Sequence, residues 1–263
     1  MGKANYKNWM PKGMIYAAGG ASGAFLALYL AVRTTGIVSA GWRTALLRIA
    51  LAGFAACGAA SVWMTLMYRR FSYDGKRQLS RLIIEEIASH VDVPAGGEAL
   101  DIGCGSGALT IACAKRSPDA RFLGVDRWGV EYASFSKKLC EQNAAAEGVS
   151  NVSFAKGDAL HLDFPDARFD AVVSNYVYHN IVGRDRQEIL LETLRVLKKG
   201  GTFALHDIFS KAKYGDMQAF RQKLLDMGYQ DVRLIPTTRG NPITPFEAIW
   251  MELAGSALLV GKK

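Results

Sequence analysis

The stretch Ala99-Leu100-Asp101-Ile102-Gly103-Cys104-Gly105-Ser106-Gly107-Ala108 decides how the rest of this chain is read. Its apolar opening (Ala99, Leu100, Ile102) reads as a buried strand, and glycines at alternate positions read as a tight turn. Leu109-Thr110-Ile111-Ala112-Cys113-Ala114-Lys115 then reads as the first turns of a helix. Alternate glycines let the backbone approach a ligand closely, where a Cβ would collide with it. The helix behind them points N–H groups at whatever sits over the turn. A nucleotide-like ligand is the natural occupant.

Two patterns fit this loop. Gly103-x-Gly105-x-x-Ala108 satisfies the dinucleotide fingerprint, which tolerates Ala at its third position. Read as Asp101-x-Gly103-x-Gly105-x-Gly107, the same residues resemble the first motif of the class I S-adenosylmethionine-dependent methyltransferases. Arg121-Phe122-Leu123-Gly124-Val125-Asp126 reads as a second strand ending in an acid, which either cofactor wants for its ribose. The next strand discriminates. Asn151-Val152-Ser153-Phe154-Ala155-Lys156-Gly157-Asp158-Ala159-Leu160 resembles the methyltransferases' Gly-Asp-Ala motif. Phe169 to Tyr176 resembles their fourth strand and Gly200 to Asp207 their fifth, in the family's order across roughly residues 76–263.

The resemblance implies an α/β fold: a Rossmann-like, doubly wound, mostly parallel seven-stranded sheet whose last strand is antiparallel. It implies S-adenosylmethionine as cofactor, S-adenosylhomocysteine as product, and no metal. The cofactor contacts it assigns are Asp101, Gly103, Cys104, Gly105 and Gly107 in the loop, then Asp126 with Arg127. It gives Asp158 to the adenine amino group, the Ala159 backbone to a ring nitrogen, and puts Asn175 and Tyr176 nearest the methyl group. The prolines of the Asn-Pro-Pro-Tyr motif of protein and nucleic-acid amine methylation are missing after Asn175. Taken singly, Asp126 and Asp158 are also ordinary strand-ending acids, and Cys104 is a loop filler.

The chain of 263 residues carries a formal charge of +8, unevenly divided. Residues 1–81 hold eleven Lys or Arg and one acid, whereas residues 82–263 hold twenty-one bases and twenty-three acids. A nucleic-acid enzyme carries its basic face near the active site, so this distribution argues against DNA or RNA as partner. Four cysteines without regular spacing suggest a reducing compartment and neither a disulfide framework nor a zinc site.

The basic first third contains two charge-free runs, about 14–32 and 49–68. Nineteen helical residues span roughly 28 Å, close to a bilayer's hydrocarbon thickness of about 30 Å. These runs read as a transmembrane helical hairpin, giving a membrane anchor over residues 1–70 and a cofactor domain over 71–263. The outer flanks carry eight Lys or Arg against three in the connection, which puts both termini and the catalytic domain in the cytoplasm. A signal peptide or a buried soluble hairpin are the competing readings of this region. Gly19-x-x-x-Gly23 is a close-packing helix face, within the hairpin or in a homodimer through the membrane helices.

Beyond the hairpin, Leu79, Ile83 and Ile87 mark a helix over 76–90. Further helices are expected at 106–116, 129–146, 184–197 and 214–228. Strands are expected near 98–103, 121–126, 151–156, 169–174, 200–206, 231–235 and 256–262. Thr244-Pro245-Phe246-Glu247 has the form of a capping box opening a short helix with Phe246, Ile249, Trp250 and Leu253 on one face. That face either packs on the sheet or forms a wall for an apolar substrate or a contact with lipid. His179 is the candidate base and Tyr176 a second catalytic candidate, with His206-Asp207 nearby. Tyr73, Tyr178, Phe246 and Trp250 are the candidate substrate contacts. The function expected is methyl transfer to a small apolar acceptor (a thiol, phenol, amine or quinone-like compound) or a lipid headgroup. A membrane-tethered NAD-dependent oxidoreductase and a non-catalytic cofactor-binding scaffold remain the alternatives.

Overall fold

The computed structural model describes residues 2–36, 38–129 and 134–263. These form two compact units, Asn8–Gln78 and Met1–Lys7 together with Leu79–Lys263. The division differs from an anchor over 1–70, because the chain before Asn8 belongs to the larger unit. The Asn5 N–H donates to Asn143 Oδ1 at 2.7 Å, and the Asn5 carbonyl accepts from Asn143 Nδ2 at 3.2 Å. With Asn143 only 2% exposed, this reciprocal pair is shielded from competing water.

The smaller unit is a helical hairpin, α1 (Lys12–Thr34) and α2 (Ala40–Phe71). Both helices are long and apolar enough to cross a membrane, by length and composition. Helix α2 starts well before the expected 49, because a charge-free run marks a hydrocarbon-length stretch and not the helix ends. Arg43 lies inside it and donates to the Arg33 carbonyl at 2.7 Å across the turn. Small residues set the helix contact: Ser22 Oγ donates to the Phe54 carbonyl at 3.0 Å, and a Cβ on Gly53 would meet the Phe25 ring at 2.7 Å. Gly19 faces Ser61, but Gly23 has nothing within 4 Å, so the two glycines do not form one packing face inside the hairpin.

The larger unit contains α3 (Leu79–Ser89), β1 (Glu98–Ile102), α4 (Ala108–Arg116), β2 (Arg121–Asp126), α5 (Lys137–Ala146), β3 (Val152–Lys156) and β4 (Phe169–Asn175). It continues with α6 (Arg186–Arg195), β5 (Leu197–Ile208), α7 (Lys211–Tyr214), α8 (Met217–Asp226), β6 (Gln230–Pro236), α9 (Pro245–Trp250) and β7 (Ser256–Lys262). The strands form one sheet in the order β3-β2-β1-β4-β5-β7-β6, with β7 antiparallel to both neighbours and the first five strands parallel. The expected helix over 129–146 begins at Lys137, where Ser136 caps it by accepting from the Leu139 N–H; its residues 130–133 lie outside the described residues. The expected helix over 214–228 is broken at Gly215, with φ of 69°, and restarts behind the Asp216 cap.

Strand order reverses between β1 and β4, and ligands of open α/β sheets sit at the carboxyl ends of the strands at such a point. Leu100, Ile102, Val172, Phe203 and Leu205, all fully buried, hold those ends rigid from below. Helix α9 closes the same edge of the sheet, since β7 follows it and pairs Ser256 with Ile208 at the end of β5. Its capping box forms as the residues predict, but its faces do not. Ala248, Met251 and Leu253 pack inward, while Phe246 and Ile249 stand 74% and 76% exposed. The apolar stripe is therefore split: Phe246 and Ile249 face outward, while Leu253 is buried and Trp250 half-buried.

Candidate active site

The glycine loop is braced from within. Gly103, Gly105 and Gly107 all take positive φ, at 71°, 55° and 80°. Gly103 also has no room: a Cβ there would lie 2.2 Å from Val177 Cγ2. The N–H groups of Gly103 and Cys104 both donate to the Val125 carbonyl, and Gly107 N–H donates to the Cys104 carbonyl. These backbone donors serve the turn, so Gly103, Cys104 and Gly107 shape the loop instead of offering it N–H groups. Asp101 likewise braces the loop. It is 2% exposed and accepts from the Thr110 hydroxyl at 2.6 Å, tying β1 to the first turn of α4. Burial pushes its carboxyl up to about 7.

Asp126 stands where β2 ends, half-buried. Its Oδ2 accepts from Gly105 N–H at 2.8 Å and its Oδ1 from Trp128 N–H at 2.7 Å. A carboxylate offers about four lone-pair sites. One is used on each oxygen here, so each retains a site for a hydroxyl, as a ribose diol requires. Asp158, at the end of β3, accepts from Leu160 N–H through Oδ1 at 2.9 Å, and its Oδ2 accepts from none of the described residues. Arg127 is exposed, and Ala159 is half-buried beside Asp158. Trp128 was not anticipated: its Nε1 donates to the Gly105 carbonyl at 3.0 Å, clamping the loop from the far side. Asn143, also unanticipated, donates to the Ser106 carbonyl at 3.0 Å. The open acceptors of Asp126 and Asp158 fit an adenosine with free ribose hydroxyls and an exocyclic amine.

Across the switch point, β4 and β5 carry the second group of residues. Tyr176 ends β4 with φ of 54° and turns the chain into a short 3-10 turn, Tyr178–Asn180. That turn sits on Asp207, which is fully buried. Asp207 Oδ2 accepts from the backbone N–H of Tyr178 at 2.8 Å and of His179 at 3.2 Å. Asp207 Oδ1 lies 2.6 Å from His179 Nδ1. A carboxylate at Nδ1 holds the hydrogen there and leaves a lone pair on Nε2. The His179 side chain is 15% exposed.

Tyr176 has a different part from the one expected of it. Its hydroxyl is bonded to Ser256 Oγ at 2.9 Å, and burial pushes its phenol well above the ordinary range, so it holds its proton. Its ring packs edge-on against both His179 and His206, at 5.8 and 4.6 Å between centroids. Tyr178 leaves the site altogether. It is fully buried, with its hydroxyl on Thr193 of α6 at 3.0 Å, because the 3-10 turn directs it inward. Trp250 is half-buried on α9, and Tyr73 belongs to the hairpin unit.

His206 is a fully buried neutral ring, held down to about 4 by desolvation. Its Nδ1 lies 2.9 Å from Asn175 Oδ1 and its Nε2 lies 2.9 Å from Thr237 Oγ1. Asn175 and His206 are cross-strand partners, so one face of the sheet edge carries both. Thr237 and Ser256, which close this cluster, flank the connection that carries α9 and stand outside its capping box.

Residues 100–205 match a family described as a methyltransferase domain. Among curated proteins, a demethylmenaquinone methyltransferase of Geobacillus stearothermophilus is 30% identical over 137 residues, 52% of this chain and 56% of that one. The sterol 24-C-methyltransferase ERG6A of Gibberella zeae is 29% identical over 145 residues, 55% of this chain and 36% of that one. The chain spans about half the length, or less, of these curated relatives. Among solved structures, the 4+2 cyclase SpnF is similar at a TM-score of 0.53 and 19% identity, over 71% of this chain and 82% of that one. That likeness is one of fold.

Proposed function

We propose that this chain, whose residues 100–205 match a methyltransferase domain, is a class I S-adenosylmethionine-dependent methyltransferase that transfers a methyl group to a lipid-soluble acceptor whose nucleophilic atom bears a proton. The observation that carries the reading is the His179–Asp207 pair across the switch point from Asp126 and Asp158. Asp126 holds the ribose hydroxyls and Asp158 the adenine amine. When bound, S-adenosylmethionine supplies a methyl on a sulfonium, whose carbon–sulfur electron pair stays with sulfur as the thioether product. His179 Nε2 takes the acceptor's proton, and the electron pair left on the acceptor forms the new bond to the methyl carbon. Asp207 keeps the imidazole in its accepting tautomer and stabilises the imidazolium that forms. In-line positioning supplies much of the remaining acceleration.

Four observations support a lipid-soluble acceptor met at the cytoplasmic face of a membrane. The hairpin presents apolar side chains outward, with Tyr16 70%, Val62 61% and Ile49 58% exposed, a surface suited to hydrocarbon. The basic flanks of the hairpin put the catalytic domain on the cytoplasmic side, where the cofactor is made. Phe246 and Ile249 add an apolar wall at the edge where the acceptor enters. The curated relatives are named for demethylmenaquinone and sterol methylation, both lipophilic acceptors.

Calorimetric titration of the detergent-purified chain with S-adenosylhomocysteine, with NADH alongside, tests the cofactor. Binding of S-adenosylhomocysteine alone is the expected result; binding of NADH alone overturns the reading. His179→Ala then abolishes turnover while leaving S-adenosylhomocysteine affinity unchanged.

A further inference from the structure

We infer that Thr237, His206 and Asn175 form a relay that turns the Asn175 amide so that its Nδ2 group donates to an oxygen beside the reacting atom, and that the acceptor is accordingly a phenol or enol flanked by a hydrogen-bond-accepting oxygen. The inference deepens the proposed methyl transfer and rests on it.

With Asn175 Oδ1 facing the ring, the relay has one consistent set of hydrogens. Asn175 Oδ1 can only accept, so the Nδ1 it touches carries the ring hydrogen. A neutral ring then has only a lone pair on Nε2, and the Thr237 hydroxyl donates into it. Its burial excludes a second ring proton. With Oδ1 engaged on His206, the two hydrogens of Asn175 Nδ2 are directed away from the ring. Nδ2 donates to none of the described residues, although Asn175 is half-buried at the carboxyl end of β4. That donor is accessible from outside, where a ligand can take its hydrogens.

His179, four residues further along the chain, offers the complement of the open donor. His179 Nε2 offers a lone pair, and the same Tyr176 ring lies against both histidines. The pair reads a donor beside an acceptor: a hydroxyl that gives its proton to His179, next to an oxygen that accepts from Asn175. A lone thiol, a simple amine or an isolated phenol satisfies half of this. The proton passes to His179 Nε2, and the electron pair of the resulting phenolate or enolate forms the bond to methyl as the carbon–sulfur pair leaves with sulfur.

The test uses the full chain in detergent, methyl-labelled S-adenosylmethionine, and two phenols of one shape: 2-methoxyphenol and 2-ethylphenol. The first has an ether oxygen where the second has a methylene. The expected result is label transfer to 2-methoxyphenol with kcat/KM at least about tenfold higher, the scale of one discriminating hydrogen bond. Asn175→Ala and Thr237→Val should erase that preference, Thr237→Ser should keep it, and S-adenosylhomocysteine affinity should stay level throughout. Nitrogen NMR of the unsubstituted chain should find His206 protonated at Nδ1 only. Equal rates on the two phenols, transfer to neither with S-adenosylhomocysteine still bound, or a proton on Nε2 overturns the relay. Failure to bind S-adenosylhomocysteine overturns the methyltransferase reading itself.

Discussion

Asp207, with no exposed surface, holds His179 Nδ1 at 2.6 Å and the His179 backbone N–H at 3.2 Å, so one carboxylate fixes both the ring and the chain that carries it. Asp207→Asn keeps the shape but puts an amide where two acceptors are needed. The expected outcome is a fall in kcat of about 10²- to 10⁴-fold, the usual contribution of positioned proton transfer. S-adenosylhomocysteine affinity, measured calorimetrically on the same preparation, should hold.

Asp126 and Asp158 occupy the ends of neighbouring strands and retain open lone pairs. Asp126→Ala and Asp158→Ala should each weaken S-adenosylhomocysteine binding by about 1–3 kcal/mol, the cost of leaving a polar partner unpaired. Unchanged affinity in both variants would remove the cofactor from this edge.

Gly103→Ala places a Cβ 2.2 Å from Val177 Cγ2 at a φ of 71°. Loss of thermal stability and of cofactor binding is expected together. Adding Val177→Ala relieves the collision but not the backbone strain, so the double variant should recover part of the loss. Full recovery would mean that the positive φ costs nothing here.

His206 is neutral in the folded chain, with its protonation held from the ordinary 6.5 down to about 4. The unfolded chain therefore binds the proton first as pH falls. Stability should decline from about pH 6.5 to about pH 4, with a slope approaching about 1.4 kcal/mol per pH unit from this group. His206→Gln should flatten that part of the profile, read from melting temperatures across the window.

Phe246 and Ile249 are 74% and 76% exposed, so replacing both by Ser should change stability by no more than about 0.5 kcal/mol each. If they form the acceptor's wall, KM for a long-chain phenol rises several-fold and KM for a short one does not. Equal effects on the two would assign these residues to something other than the acceptor's tail.

What the sequence determined by itself was the order of elements and the acids placed near the strand ends. Strand and helix periodicity, glycines at alternate positions and acids near the ends of β1, β2, β3 and β5 are local signals, met along residues 98–208 in one order. Local signals suffice because each strand end is set by its own few residues. Which atoms those residues spend on one another was decided only by the tertiary structure. Asp101 turned out to serve Thr110, and the loop N–H groups serve Val125, because buried backbone and carboxyl groups must find partners wherever the chain brings them. Tyr178 and Tyr176 look equivalent in sequence, yet a positive φ at Tyr176 and a 3-10 turn send one ring to the core and leave the other between two histidines. The outward face of α9 and the relay through Thr237 depend on contacts dozens of residues apart, and no short-range pattern encodes those.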